Sequence, residues 1–135
     1  MIEINLPEVL SELNKAFRAY ELALTTSDIA TLNDLFWDSE HTLRYGIREG
    51  ERQYSYDEIV AFRLRRGAVN QRRVLRNLRI ITFGRNLGVA NTEFLTPGSS
   101  RVGRQSQTWL RTEQGWKIVG AHVSIEVTPT DKPSK

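Results

Sequence analysis

The spacing of apolar residues changes partway along the chain, and this change limits the folds available to it. Before about residue 67 apolar residues recur mostly at helical spacings, whereas later they lie in strand-like stretches separated by turns. One early stretch, His41–Ile47, alternates like a strand and places Arg44 on the face opposite Leu43 and Tyr45. The predicted order is helix, helix, strand, helix and four strands. This order predicts an α+β fold, with helices gathered on one face of a curved, mostly antiparallel sheet.

Three helices are predicted from periodicity and from their end signals. The first runs from about Pro7 to Thr25, with Asn5 as a candidate cap. Ser27 or Asp28 caps a second, shorter helix that reaches about Phe36, and Trp37 closes it. A capping box beginning at Ser55 starts the third helix, and Gly67 ends it. The first helix carries an apolar stripe made of Leu10, Leu13, Phe17, Tyr20 and Leu24.

The second half of the chain predicts strands over Val74–Phe83, Leu87–Leu95, Arg101–Arg111 and Trp116–Val127. Residues Gly50–Gln53 are predicted to form a polar turn. The last two strands are joined by a tight connection and form a closing hairpin. Helices packed in such a curved sheet leave a conical cavity between helix and sheet.

Length and composition narrow the class of protein. A chain of 135 residues predicts one domain, assigned to residues 1–127, followed by a polar, disordered tail over residues 128–135. The chain has no cysteine, which excludes disulfides, thiolate metal sites and a thiol nucleophile. It shows no signal peptide, no membrane span, no metal-ligand cluster and no glycine-rich phosphate loop. We therefore expect a cytoplasmic protein that needs no metal or cofactor and binds no membrane.

Arginine dominates the basic residues and is unevenly placed. It supplies fifteen of the nineteen basic side chains, which favours oriented carboxylate or phosphate contacts over diffuse surface charge. Seven arginines and no acid lie between Ile59 and Gly84. They span a helix end and an alternating strand, so they split between faces rather than form one stripe. Nucleic-acid binding is therefore the least favoured function.

Arg44 is the most informative single residue, because it lies on the strand that follows two amphipathic helices. Its side chain either extends to water or lies in a cavity as a fixed positive charge. The second alternative predicts binding of small anions. Tyr20 lies in the apolar stripe of the first helix, and a buried tyrosine hydroxyl needs a polar partner.

Five parts of the chain carry a resemblance to a known family: Leu35–Trp37, Thr42–Gly46, Ile59–Arg63, Ala90–Phe94 and the closing hairpin. They resemble the AtzH-like family of the nuclear-transport-factor-2-like superfamily, and the similarity covers about Leu6 to Val127. The resemblance implies a cone-shaped fold. It also implies ureide catabolism, in which 1,3-dicarboxyurea is decarboxylated to allophanate. The family's essential tyrosine and arginine fall at Tyr20 and Arg44, which are therefore the predicted catalytic residues.

Further residues are predicted to bind substrate. Phe36 and Trp37 offer an apolar wall, whereas Gln105 and Gln107 share one strand face that either lines the cavity or is a polar sheet surface. Arg63 on the third helix is a weaker ligand candidate. His122 alternates opposite its apolar neighbours, which favours the outer, dimer-forming face over a general-base role.

Two functions remain in competition. The first is a cofactor-independent decarboxylase of a small N-carboxylated urea-type anion. The second is a non-catalytic small-anion-binding or amidase-associated assembly module built on the same cone. A homodimer is expected in either case.

Overall fold

The computed structural model describes residues 1–67 and 71–127. Its helices are α1 (Pro7–Thr25), α2 (Ile29–Asp34) and α3 (Tyr56–Arg66). The strands are β1 (Leu43–Tyr45), β2 (Arg52–Gln53), β3 (Val74–Phe83), β4 (Leu87–Leu95), β5 (Gly103–Thr112) and β6 (Gly115–Ile125). The predicted tail lies outside the described residues. No helix in the described part of the chain is long and apolar enough to span a membrane.

The six strands that the described residues form make one sheet in the order β2-β1-β6-β5-β4-β3. All neighbouring strands are antiparallel except β1 and β6, which are parallel. This arrangement places the first strand beside the last one. The predicted α+β class and the mostly antiparallel sheet are confirmed.

The core lies between α1 and the concave face of the sheet. Leu13, Phe17 and Tyr20 of α1 pack in one buried cluster with Trp109 of β5 and Ile118 of β6. In β4 and β5 buried residues alternate with more exposed ones, as expected for a sheet with only one covered face. The covered face is therefore the one that also bounds any internal cavity.

The start of α2 and both ends of α3 follow the predicted signals, whereas α2 ends at Asp34, before the predicted end at about Phe36. Asp28 caps α2 by accepting a hydrogen bond from Thr31 N over 3.1 Å. Ser55 caps α3 by accepting one from Glu58 N over 3.1 Å, and Gly67 ends the helix with φ of 77°. The left-handed conformation at Gly67 explains why glycine is suited to this position.

Two local predictions are wrong. Asn5 does not cap α1: its side-chain oxygen instead accepts a hydrogen bond from Thr82 N of β3 over 2.9 Å, and the helix cap position is Leu6. Gly50–Gln53 is not only a turn, because Arg52 and Gln53 form β2 and pair with β1. In both cases a partner outside the local segment, Thr82 for Asn5 and the neighbouring strand β1 for β2, captures polar groups that the local pattern assigned elsewhere.

Candidate functional site

A large open cavity of about 1260 Å³ lies between the helices and the concave face of the sheet. Side chains from α1, β1, α3 and β5 converge on it. Tyr20, Arg44, Arg63 and Gln105 all line it, so four of the predicted site residues are brought together. Sequence positions more than eighty residues apart thus share one cavity.

The cavity wall is strongly basic. Eight arginines and three glutamates are among its lining residues, which gives it an excess of positive charge. No histidine, lysine or metal-ligand cluster occurs in the lining that the described residues provide, and Tyr20 is its one tyrosine. An open basic cavity of this kind favours small anionic ligands.

Arg44 enters the cavity from β1, next to the strand that the sequence did not predict. Its Nη1 donates a hydrogen bond to Gln53 Oε1 over 3.1 Å and lies 3.8 Å from Glu51 Oε1. Its guanidinium is also 5.5 Å from the centroid of the Phe62 ring. Arg44 is therefore a cation fixed by its neighbours on the cavity wall. Of the two alternatives for its side chain, water or cavity, the structure supports the cavity.

Arg63 lies deeper, on the buried face of α3. Its Nη1 donates to Asn33 Oδ1 over 2.8 Å, and its guanidinium stacks 4.6 Å from the centroid of the Phe36 ring. Burial, aided by the nearby charge of Arg44, lowers the pKa of Arg63 to about 10. At neutral pH it remains a charged, desolvated guanidinium.

Tyr20 is buried on α1 and contacts the same aromatic support. Its ring centroid lies 6.4 Å from that of Phe36, with the ring planes tilted by 58°. Phe36 thus lies beneath both Tyr20 and Arg63, in the second layer behind the cavity. It supports these two side chains rather than forming part of the lining.

Gln105 reaches the cavity from β5 with its amide in a defined orientation. Its Oε1 accepts a hydrogen bond from Arg73 Nη2 over 3.0 Å. Because arginine can only donate, the Gln105 Nε2 donor must point the other way, and it has no partner among the described residues. An unpartnered buried donor beside a basic cavity is a suitable contact for a ligand oxygen.

The other predicted ligand residues lie elsewhere. Gln107 is buried two residues after Gln105 on β5, where its Oε1 accepts a hydrogen bond from Trp109 Nε1 over 3.0 Å. Trp37 is half-buried, and its backbone N–H donates to Ile118 O over 2.9 Å. Neither residue is part of the cavity lining, so the structure does not bring them to the other candidates.

Arg73, which the sequence did not single out, completes the wall, and Glu21, which is not part of the lining, binds it. Arg73 is bound through two of its nitrogens by the carboxylate of Glu21, and it stacks 4.6 Å from the centroid of the Phe94 ring. In the sequence, Arg73 is only one of seven clustered arginines, and Glu21 is distinguished only by following Tyr20. Nothing local in the sequence links residues this far apart.

His122 and Glu93 lie on the outer face of the sheet. His122 is exposed and packs edge-on against Tyr45, with ring centroids 5.4 Å apart, as expected for the face opposite the cavity. Glu93 pairs across strands with Arg76 over 2.8 Å. The clustered arginines therefore divide between the cavity and the outer surface and form no single basic stripe.

A curved sheet wrapped around helices, with a cavity at their junction, defines a nuclear-transport-factor-2-like protein. The AtzH-like family model matches residues 2–128, and the chain belongs to this family. No curated protein matched the chain.

Solved structures agree with this assignment. The chain is similar to a protein of unknown function from the DUF3225 family of Pectobacterium atrosepticum, with 48% identity, a TM-score of 0.86, and coverage of 91% of this chain and 94% of that one. It is also similar to a cystatin-like fold protein of Burkholderia xenovorans, with 40% identity, a TM-score of 0.87, and coverage of 96% and 100%. A nuclear-transport-factor-2-like protein of Pseudomonas putida shares the fold at 15% identity, with a TM-score of 0.74 over 94% of each chain.

Proposed function

We propose that the protein is a cofactor-independent decarboxylase of a small N-carboxylated urea-type anion, either 1,3-dicarboxyurea, which gives allophanate, or a related ureide. The observation that carries this proposal is that the Tyr20 side chain lines the same basic cavity as Arg44 and Arg63. A proton donor and fixed cations therefore line one cavity, where a single small ligand can contact them. The membership in the AtzH-like family supports the same chemistry.

The reaction makes modest demands on the protein. The bond between nitrogen and the carboxylate carbon breaks, carbon dioxide leaves, and the bonding electron pair stays on nitrogen, which takes up a proton. Tyr20 is suited to donate that proton, or a hydrogen bond, to the nitrogen. Arg44 is suited to hold the carboxylate that remains, because guanidinium binds carboxylate through two parallel hydrogen bonds.

The contacts of each residue fit its assigned role. Gln53 and Glu51 restrict Arg44 without covering all of its five donors. The Phe36 ring restricts Tyr20 from below. Both groups are thus positioned before the ligand arrives, which lowers the entropy lost on reaching the reactive geometry.

The test is the rate of carbon dioxide release from freshly generated 1,3-dicarboxyurea, measured above the spontaneous background. Tyr20→Phe removes only the hydroxyl, and we expect the rate to fall about 10²-fold or more. Arg44→Gln should raise KM and lower kcat/KM. Arg79→Gln is the matched control, because Arg79 is exposed on β3 outside the cavity lining; its rate should equal that of the parent.

Normal turnover in folded Tyr20→Phe and Arg44→Gln variants would refute the site assignment. Absence of turnover in the parent protein, together with retained anion binding, would refute the decarboxylase. That result would instead favour the binding module, and co-purification with an amidase would then test its assembly role.

A further inference from the structure

Arg63 and Arg73 both have buried side chains in the cavity wall, but their guanidinium groups have different partners. Arg73 is paired with a carboxylate, that of Glu21. Arg63 is only 4% exposed, yet among the described residues its guanidinium has one hydrogen-bonding partner, the neutral amide of Asn33. No carboxylate among the described residues lies within ion-pair distance of Arg63. Its charge is therefore oriented but not neutralised.

Such an arrangement is costly unless a ligand uses it. A buried charge without a counter-ion is strongly disfavoured, and proteins normally pair it or leave it in water. Here the Asn33 oxygen fixes one nitrogen and the Phe36 ring supports the guanidinium plane. The remaining N–H donors stay available, and the residue lines the cavity.

We propose that Arg63 and Asn33 form a second anion-binding position in the cavity, in which Asn33 sets specificity by holding Arg63 without cancelling its charge. Together with Arg44, this position gives the cavity two cationic anchors and selects a small dianion over a monoanion. The inference deepens the proposed function, on which its choice of ligand rests. Gln105 Nε2, which has no partner in the part of the chain that the structure describes, supplies a further donor in the same wall for such a ligand.

Asn33→Asp isolates this role, because it changes one atom and almost no volume. The new carboxylate would lie where Oδ1 already lies 2.8 Å from Arg63 Nη1, so it would pair with the guanidinium internally. A ligand carboxylate would then face a neutralised anchor. Because the substitution supplies a missing counter-ion, we expect thermal stability to stay equal or to rise.

The experiment is calorimetric titration with glutarate and with butyrate. Glutarate is unreactive, and its two carboxylates are separated by three atoms, as in 1,3-dicarboxyurea, whereas butyrate carries one. The parent protein should bind glutarate more tightly than butyrate. In Asn33→Asp the Kd for glutarate should rise at least about tenfold, with little change for butyrate, because one charge-assisted contact is lost.

Asn91→Asp is the control, since it adds the same negative charge at an exposed position of β4 outside the cavity lining. Its Kd for glutarate should match that of the parent. Arg63→Gln serves as a second variant, which removes the charge and should also weaken glutarate selectively.

Equal glutarate affinity in Asn33→Asp and the parent would overturn the inference, as would a parent that shows no preference for the dianion. Binding does not depend on turnover, so the two proposals fail separately. Dianion selectivity without decarboxylation refutes only the enzyme. Decarboxylation with an unchanged KM in Asn33→Asp refutes only the second anchor.

Discussion

The Arg73 guanidinium joins Glu21 of α1 to Gln105 of β5, donating to the Gln105 oxygen over 3.0 Å while it binds the Glu21 carboxylate. A helix and a strand that form opposite walls of the cavity are thus connected by one buried cation. The Arg73 and Glu21 side chains are only 4% and 15% exposed, so solvent screens this ion pair weakly.

Glu21→Gln is expected to lower the free energy of unfolding by about 1–3 kcal/mol, because Arg73 loses its counter-ion but keeps one amide contact. Chemical denaturation measures this change. The control is Glu8→Gln, which breaks a pair with Arg85 in which both side chains are 59% exposed; the loss there should stay below about 1 kcal/mol. Equal losses in the two variants would contradict the buried role of Glu21.

Gly103→Ala is expected to destabilise the fold by steric overlap. A Cβ atom at this position would lie 2.2 Å from the Phe94 ring, which also stacks on Arg73. Forcing that ring aside should cost about 1–3 kcal/mol. Gly120→Ala is the matched strand control, because a Cβ there meets nothing within 4 Å, and we expect a change below about 0.5 kcal/mol.

Thermal or denaturant unfolding distinguishes these two glycine variants. Adding Phe94→Leu to Gly103→Ala should recover part of the lost stability, since the smaller side chain makes room for the methyl group. No recovery in the double variant would mean that the overlap is not the cause.

Anion affinity is expected to be nearly constant from about pH 6 to about pH 9. The lowered pKa of Arg63, about 10, still leaves its guanidinium protonated throughout that range, and neither histidine lines the cavity. As pH rises through about 10, Arg63 loses its proton and glutarate affinity should fall. Burial places the pKa of Arg63 in the folded state below its value in the unfolded state. Loss of the proton therefore removes the cost of burying a charge and stabilises the folded state. Unfolding caused by Arg63 does not explain the fall in glutarate affinity.

Titration at several pH values, with a fold check by circular dichroism at each, measures this profile. A steep fall between about pH 6 and about pH 8 would contradict it, since that range is where histidine titrates.

Ser55→Ala is expected to destabilise α3 by about 1 kcal/mol, because the Glu58 N–H loses its side-chain acceptor. Ser55→Asp should retain most of the stability, since aspartate also caps helices. Both are measured by thermal unfolding. A loss in Ser55→Asp as large as that in Ser55→Ala would show that the hydroxyl acts in some other way.

The prediction of α3 from local pattern succeeded. The bounds of α3 followed from Ser55 and Gly67, whose cap and left-handed turn act within a few residues. Alternation placed Gln105 and Gln107 on one strand face, which it left open as cavity lining or polar sheet surface, and it favoured the outer face for His122. The family resemblance added the expectation that Tyr20 and Arg44 act together, and the structure places both side chains on one cavity.

Features created by partners outside the local segment could not be predicted in this way. The two residues of β2 are too few to show a period, and they form a strand only because β1 is beside them. Asn5 is a good cap by type, yet pairing with Thr82 takes its oxygen. Arg63 was predicted only as a weaker ligand candidate, because its burial over Phe36 depends on how α2 and α3 pack.

The parallel pairing of β1 with β6 also sets the order in which this cavity can be assembled. Arg44 lies beside Ala121, so until the final strand has been synthesised and has closed a very long loop, β1 is paired with β2 alone. Contacts at such sequence separation form late and slow the search for the native state. A nascent chain stopped before β6 would carry Tyr20, Arg44, Arg63 and Gln105 but have no finished anion pocket, so binding activity should appear only at the last stage of folding.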